Sequence, residues 1–246
     1  MKNYILILLF INFVLKVNSM KNFEKDTFKT HQGDLIITFI GHGTLMLEWN
    51  NNIIHIDPTM HEADYSKMPA ADLILITHEH FDHFDREAIN KIVKDNTVII
   101  VSISCESSIA GLKNVKILKN NEKSNFKDIV IEAIPAYNII NKRPDGKPFH
   151  PKGAGNGYVL SISDKTIYIA GDTENIPEMK QLKNIDIAFL PMNLPYTMTP
   201  EMVADAAKAF RPKILYPYHY GNTDTDKLLE LMKNEKDIEV RIRNMK

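Results

Sequence analysis

Leu73-Ile74-Leu75-Ile76-Thr77-His78-Glu79-His80-Phe81-Asp82-His83 is the stretch that decides how this chain is read. The unbroken apolar run at 73–76, bounded by Asp72, has the signature of a buried strand. Beyond the run, Asp85 can cap a new helix whose first turn contains Glu87. Three histidines and an aspartate therefore lie on a strand-to-helix loop between two rigid elements. Neutral imidazole and carboxylate are the ligands that borderline divalent metals such as zinc prefer. A tight loop presenting several of them at once is hard to explain as packing.

The spacing suggests two metal positions. His78 and His80 are two apart and project to one side of an extended segment. Asp82 and His83 are adjacent and diverge, so they address a second position. Paired ions about 3.5–4 Å apart are a common hydrolytic arrangement, and they need a shared carboxylate and further histidines. Asp172 follows the run Ile167-Tyr168-Ile169-Ala170-Gly171, and His219 follows Ile214-Leu215-Tyr216-Pro217-Tyr218. Each alone would read as a turn or cap residue. Three strand-end loops offering ligands support one another.

Around these loops the sequence reads as one domain. With 246 residues, 44% apolar and 25% charged, the chain can bury a sizeable core. Lys+Arg 30 against Asp+Glu 31 leaves no basic surplus for nucleic acid. Short strands are expected at 35–40, 45–49, 53–56, 73–76, 97–101, 115–118 and 129–134. A Pro-, Gly- and Lys-containing loop at 141–157 separates them from strands near 158–162, 166–170, 186–190 and 213–216. Thr199-Pro200 caps a helix running to Phe210, and Asp224 starts another carrying Leu228, Leu229 and Met232. The economical architecture is α+β, two packed sheets covered by helices.

The first nineteen residues differ. Lys2, the apolar run from Tyr4 to Leu15, and Val17-Asn18-Ser19 follow the three-part layout of a secretory signal peptide. The expectation is a leader at 1–19, a domain at 20–246, and export to a periplasmic or secreted location. If uncleaved, the segment would anchor the chain to a membrane. Cys105 is the single cysteine, which excludes an intramolecular disulfide and a cysteine-rich zinc site.

Thr77-His78-Glu79-His80-Phe81-Asp82-His83 resembles the H-x-H-x-D-H signature of the metallo-β-lactamase superfamily. Ala170-Gly171-Asp172-Thr173 is similar to its bridging-aspartate motif, and Tyr218-His219-Tyr220-Gly221 to its terminal-histidine motif. Gly41-His42-Gly43-Thr44 and Ile56-Asp57-Pro58 resemble its opening strands. The resemblance spans about residues 34–221 and is greatest to UlaG-like lactonases and related uncharacterised hydrolases. That branch also matches Pro135-Ala136-Tyr137-Asn138, His150-Pro151-Lys152-Gly153 and Tyr196-Thr197-Met198. It implies a four-layer αββα sandwich and a metal-dependent hydrolase, though not a β-lactamase.

The same resemblance implies the ligand sets. His78, His80 and Asp172 would serve the first metal; Asp82, His83, His219 and the shared Asp172 the second. Where many superfamily members have a third histidine for the first metal, this chain has Tyr137. Either His150 fills that gap or the first position is weak. Two divalent ions are expected, zinc first and manganese second. The expected reaction is hydrolysis of a small-molecule ester, lactone or phosphodiester by metal-activated hydroxide, with Asp82 and His219 as catalytic residues. The alternative is a metal-binding protein of the same fold with weak or lost catalysis. Among the remaining residues, His42 and Asp57 are expected beside the site, His55 on a strand face, and His31 and His61 at the surface. Lys142, Arg143, Lys147 and Lys152 make the middle loop basic, and Tyr196 and Met198 belong either to the pocket or to the core.

Overall fold

Residues 23–246 are described by a computed structural model; the expected leader at 1–19 lies outside the described residues. In the first half, β1 (Glu24–Thr30), β2 (Gly33–Gly41), β3 (Thr44–Trp49) and β4 (Asn52–Ile56) form an antiparallel meander. β5 (Leu73–Ile76), β6 (Val98–Val101) and β7 (Val115–Ile117) extend that sheet in parallel, with α1 (Arg86–Ile92) between β5 and β6. The second half repeats the scheme. β8 (Lys123–Phe126), β9 (Ile129–Ala136), β10 (Gly155–Ile162) and β11 (Lys165–Ile169) are antiparallel. β12 (Ile187–Pro191), β13 (Ile214–Tyr218) and β14 (Glu239–Val240) continue in parallel, connected through α2 (Pro200–Phe210) and α3 (Thr225–Met232).

Local chemistry explains the punctuation. Asn50 and Asn51 both take positive φ, 47° and 58°, which the two-residue β3–β4 hairpin requires. Asp85 caps α1 by accepting from the amides of Glu87 and Ala88. Thr199 caps α2 by accepting from Met202, with Pro200 in the first turn where its missing N–H costs nothing.

The uninterrupted apolar run at 73–76 follows from burial on both faces. Leu73 and Leu75 join the core between the sheets, while Ile74 and Ile76 face Ala88, Ile89 and Ile92 of α1. On the far side, Phe210 of α2 meets Tyr168 edge-on, ring centroids 6.0 Å apart. Helix, sheet, sheet and helix pair thus make the four layers of an α+β sandwich. At its centre Phe39 of one sheet packs on Tyr216 of the other at 5.0 Å, and Tyr216 stacks on Phe189 at 5.0 Å. Truncating Phe189 to alanine is expected to cost about 3–5 kcal/mol, read as a lower denaturant midpoint at unchanged slope.

The structure adds three strands absent from the sequence reading, β1, β8 and β14, and all three are sheet edges. The central loop also ends earlier than 157, because β10 already begins at Gly155. Cross-sheet bonds fix the strand ends that matter. Tyr158 donates its hydroxyl to the Ile76 carbonyl at 2.7 Å, and the Asn156 amide donates to the Thr77 carbonyl at 2.9 Å.

Candidate metal centre

The loop after β5, the turn after β11 and the residue following β13 converge at one end of the sandwich. His83 Nε2 lies 3.4 Å from Asp172 Oδ1, and His219 Nε2 lies 3.4 Å from Asp172 Oδ2. His150 Nε2 and His78 Nε2 stand 3.3 and 3.9 Å from that same Oδ2. His80 Nδ1 faces His78 Nε2 at 3.1 Å. Asp82 Oδ2 is 3.7 Å from His219 Nε2 and 3.9 Å from His83 Nε2. All seven residues singled out from the sequence meet around Asp172.

Tyr137 does not face this cluster. Its hydroxyl donates to Glu178 at 2.9 Å and accepts from Lys152 at 3.2 Å. His150 stands beside His78 and His80 instead, ring centroids 5.1 and 5.0 Å away. A histidine ring from the central loop, not Tyr137, thus lies next to His78 and His80.

His78, His83 and His150 are each held by a bond to the other ring nitrogen. His83 Nδ1 donates to Asp57 Oδ2 at 2.7 Å, and Asp57 also accepts from the Thr77 amide at 2.8 Å and the Thr77 hydroxyl at 2.6 Å. Since the Thr77 hydroxyl donates to Asp57, it can only accept from His78 Nδ1, 3.0 Å away. His150 Nδ1 donates to Asn138 Oδ1 at 2.8 Å. These bonds leave the Nε2 lone pairs of His78, His83 and His150 pointing inward, the orientation that carboxylate and carbonyl partners impose on metal-ligating histidines.

Buried Glu174 anchors the loop behind His150. It accepts from three successive amides, Ile139, Ile140 and Asn141, each at 2.7 Å, and from the Asn138 side chain at 3.3 Å. The sequence reading passed over Glu174, Asn138 as the partner of His150, and Thr77. Their signal was local: Glu174 follows the Asp172 motif by two residues, and Thr77 opens the histidine loop.

Backbone strain gathers here as well. His42, Asp57 and His219 take positive φ of 50°, 47° and 49°, conformations uncommon for residues with side chains and concentrated at functional sites. At Gly43 an added Cβ would stand 2.6 Å from His83 Cε1, so only glycine leaves room for that ring. His42 stacks on His219 at 3.7 Å, with its Nε2 3.2 Å from Asp82 Oδ2.

The donor set fits divalent metal. Among the described residues, Nε2 of His83, His150 and His219 and Oδ1 of Asp172 are buried without a hydrogen-bond partner. Leaving such groups unpaired costs about 1–3 kcal/mol each, so their convergence calls for a cation. Potential ligand atoms of His78, His80 and His150 lie within 4.8 Å of one another, as do those of His42, Asp82, His83 and His219, and of His78, His83 and Asp172.

The electrostatics agree. Burial opposes ionisation of Asp172, but His219, His83, His150 and His78 outweigh it and hold its carboxyl well below the usual range. Burial works against a charged His83 too, yet Asp172 and Asp57 push its pKa up to about 9. Burial pulls His150 down to about 4 despite Asp172, and holds His78 well below its ordinary value. Asp82 is likewise held low, its burial overcome by His219 and His42. Neutral His78 and His150 with ionised Asp82 and Asp172 are the states that ligation needs, whereas His83, kept protonated by its two carboxylates, would give up that proton to a bound cation.

Other residues fall outside the centre. Cys105 is buried at Ser102, and burial pushes its thiol up to about 12, which suits a packing role. His31 and His61 are exposed, and Met198 is core. His55 is fully buried on β4, with Nε2 3.0 Å from the Pro69 carbonyl, and burial drops its pKa to about 4. Unfolded, it would titrate near 6.5, so between pH 6.5 and 4 only the unfolded chain takes up this proton. Stability is expected to fall by up to about 3 kcal/mol over that window on this account, and denaturation of His55→Gln against wild type should show a shallower loss.

Comparison with known proteins yields a match to the family model described as "Beta-lactamase superfamily domain" over residues 36–219. A UPF0173 metal-dependent hydrolase of Nanoarchaeum equitans is 31% identical over 190 residues, covering 75% of this chain and 83% of that protein. Another from Koribacter versatilis is 32% identical over 198 residues, covering 76% and 84%. A crystal structure of a proposed metal-dependent hydrolase from Parabacteroides distasonis superposes with a TM-score of 0.85 at 49% identity, covering 92% of this chain and 100% of that one.

Proposed function

The chain belongs to the metallo-β-lactamase superfamily and is a metal-dependent hydrolase of it, and on that premise we propose a two-metal centre acting on a small-molecule ester, lactone or phosphodiester. The carrying observation is the set of buried, unpartnered atoms on His83, His150, His219 and Asp172. His78, His80 and His150 would hold one ion and Asp82, His83 and His219 the other, with Asp172 available to both. A donor set of imidazole nitrogen and carboxylate oxygen favours zinc, with manganese second. When bound, such ions supply Lewis acidity and lower the pKa of a coordinated water towards 7.

The chain's own residues do the rest. Asp57, Thr77 and Asn138 fix the tautomers of His83, His78 and His150. Asp82, its side chain partly open to solvent, is placed to accept a proton at Oδ2, where His42 Nε2 hydrogen-bonds it. His219 shares that oxygen and Asp172, linking the two carboxylates. The reading of a metal-binding protein with weak or lost catalysis rested on Tyr137, and the position of His150 beside His78 and His80 supports the catalytic reading over it.

The test is metal content followed by turnover. Purified protein is expected to carry about two equivalents of zinc, and His83→Ala fewer. A panel of aryl esters, lactones and phosphodiesters should show turnover that chelation removes and zinc restores. Equal metal in wild type and mutant, or silence across the panel at full loading, would overturn the proposal. Export, read from residues 1–19, is tested by the first residue of the mature protein, expected to be Met20.

A further inference from the structure

Large apolar side chains left open to solvent are concentrated at this site. Among the described residues, Phe81, Ile139, Ile140, Leu194 and Tyr196 are exposed, Phe81 at 86% and Ile140 at 66%. Phe81 sits between the ligand positions His80 and Asp82. Ile139 and Ile140 directly follow Asn138, the partner of His150. Leu194 and Tyr196 share the loop after β12, and the Tyr196 carbonyl accepts from the Asn138 side chain at 2.8 Å. Exposed apolar area of this kind marks a binding surface.

The rim is tied to the cleft by direct contacts. The Tyr196 ring meets Phe149 edge-on at 5.1 Å, and Phe149 lines the cleft with His78, His80, His150 and Asp172. That cleft holds about 10 Å³ of free space, on the order of one water molecule and far below the range of about 300–1,000 Å³ that buries a whole small ligand. A whole substrate does not fit inside, so the bulk of it has to lie on the rim.

A cation stands at the same edge. The Arg143 guanidinium lies 5.7 Å over the Phe149 ring, gives one bond to the Phe149 carbonyl at 3.1 Å, and comes within 3.5 Å of His80 Nε2. Lys152 of the same loop is paired with Glu178, whereas among the described residues no carboxylate pairs with Arg143. Its planar fork of donors matches phosphate or carboxylate.

We propose that the site takes small amphiphilic anions, with an alkyl or aryl group lying on Phe149, Tyr196 and Phe81 and an anionic group at Arg143. The assignment rests on the hydrolase reading for the location of the reacting bond. Neutral polar lactones and esters would leave both the rim and Arg143 unused.

Calorimetric binding of methylphosphonate and n-butylphosphonate to the metal-loaded full chain tests it without turnover. Butylphosphonate is expected to bind about tenfold tighter, from three methylenes partly removed from water. Tyr196→Ala should shrink that ratio, and Phe149→Ala, which also removes the ring under Arg143, should shrink it and weaken methylphosphonate as well. Arg143→Gln should weaken both ligands about fivefold and leave the ratio. Equal affinities for the two ligands, or no effect of Arg143→Gln, would overturn the proposal. Turnover of the ester panel with no chain-length dependence sinks this assignment alone. Chain-length-dependent binding without turnover of any panel member sinks the hydrolase mechanism and keeps the subsite.

Discussion

Asp172→Ala is expected to leave a folded protein with less than half the wild-type metal and hydrolysis lowered by about 10³-fold or more. The magnitude follows from the several kcal/mol that metal-ion catalysis contributes, about 4 of which correspond to 10³ in rate. Among the described residues, Asp172 is the carboxylate within 4 Å of His78, His83, His150 and His219 together, so its loss removes the shared anion from both proposed positions at once. The fold should survive, because the turn is held by its neighbours. Gly171 takes a φ of 65°, which a side chain disfavours, and the Thr173 hydroxyl accepts from the Tyr137 amide at 3.1 Å. Metal analysis, circular dichroism and turnover on one preparation check all parts. Retention of two equivalents of metal would refute the shared role.

The second large effect comes from a residue with no ligand role. Asp57→Asn keeps size and burial but replaces an acceptor by an amide that donates. An amide nitrogen in the place of Oδ2 would face the Thr77 hydroxyl and His83 Nδ1, both supplied with protons in the native arrangement. His83 would then have to accept at Nδ1 and carry its proton on Nε2, the nitrogen turned to Asp172. Metal affinity is expected to fall about 10–100-fold, as when other partners of metal-bound histidines are lost. Asp57→Ala goes further. It leaves His83 and the Thr77 amide unpaired in a dry site, with an expected stability loss of about 3–5 kcal/mol. A titration of apo protein with zinc separates the two variants: the asparagine form folds and binds weakly, while the alanine form also melts early. An asparagine variant with native affinity would show that the tautomer does not matter.

What the sequence revealed, and what it hid, divide along physical lines. Central strands were legible because each is buried on at least one face, so β5 and β6 read as apolar runs. The edges β1, β8 and β14 were not. Glu24–Thr30 carries Lys25 and Lys29 outward and needs only backbone pairing on one side, and Lys-Ser-Asn-Phe of β8 has a single large apolar residue. In the site, the histidine loop could be read because its spacing is local. His150 was ambiguous because its place depends on Asn138 and on Glu174 gathering three amides, contacts between segments distant in sequence. Exposure was invisible as well: nothing in Tyr196-Thr197-Met198 tells that the tyrosine faces water while the methionine is core.

The two sheets run in the same scheme, an antiparallel meander of four strands followed by three in parallel. The ligands split along that repeat. His78, His80, Asp82 and His83 come from the first half, and His150, Asp172 and His219 from the second. Neither half alone supplies all the donors of either proposed position, so bound metal would act as a clasp across the seam. A chain cut at the join near Asn120 and Asn121 would give two fragments whose reassembly zinc itself reports and reinforces, by RT ln(1 + [Zn]/Kd). Metal uptake would thus measure registry between the two layers, as much as prepare for chemistry.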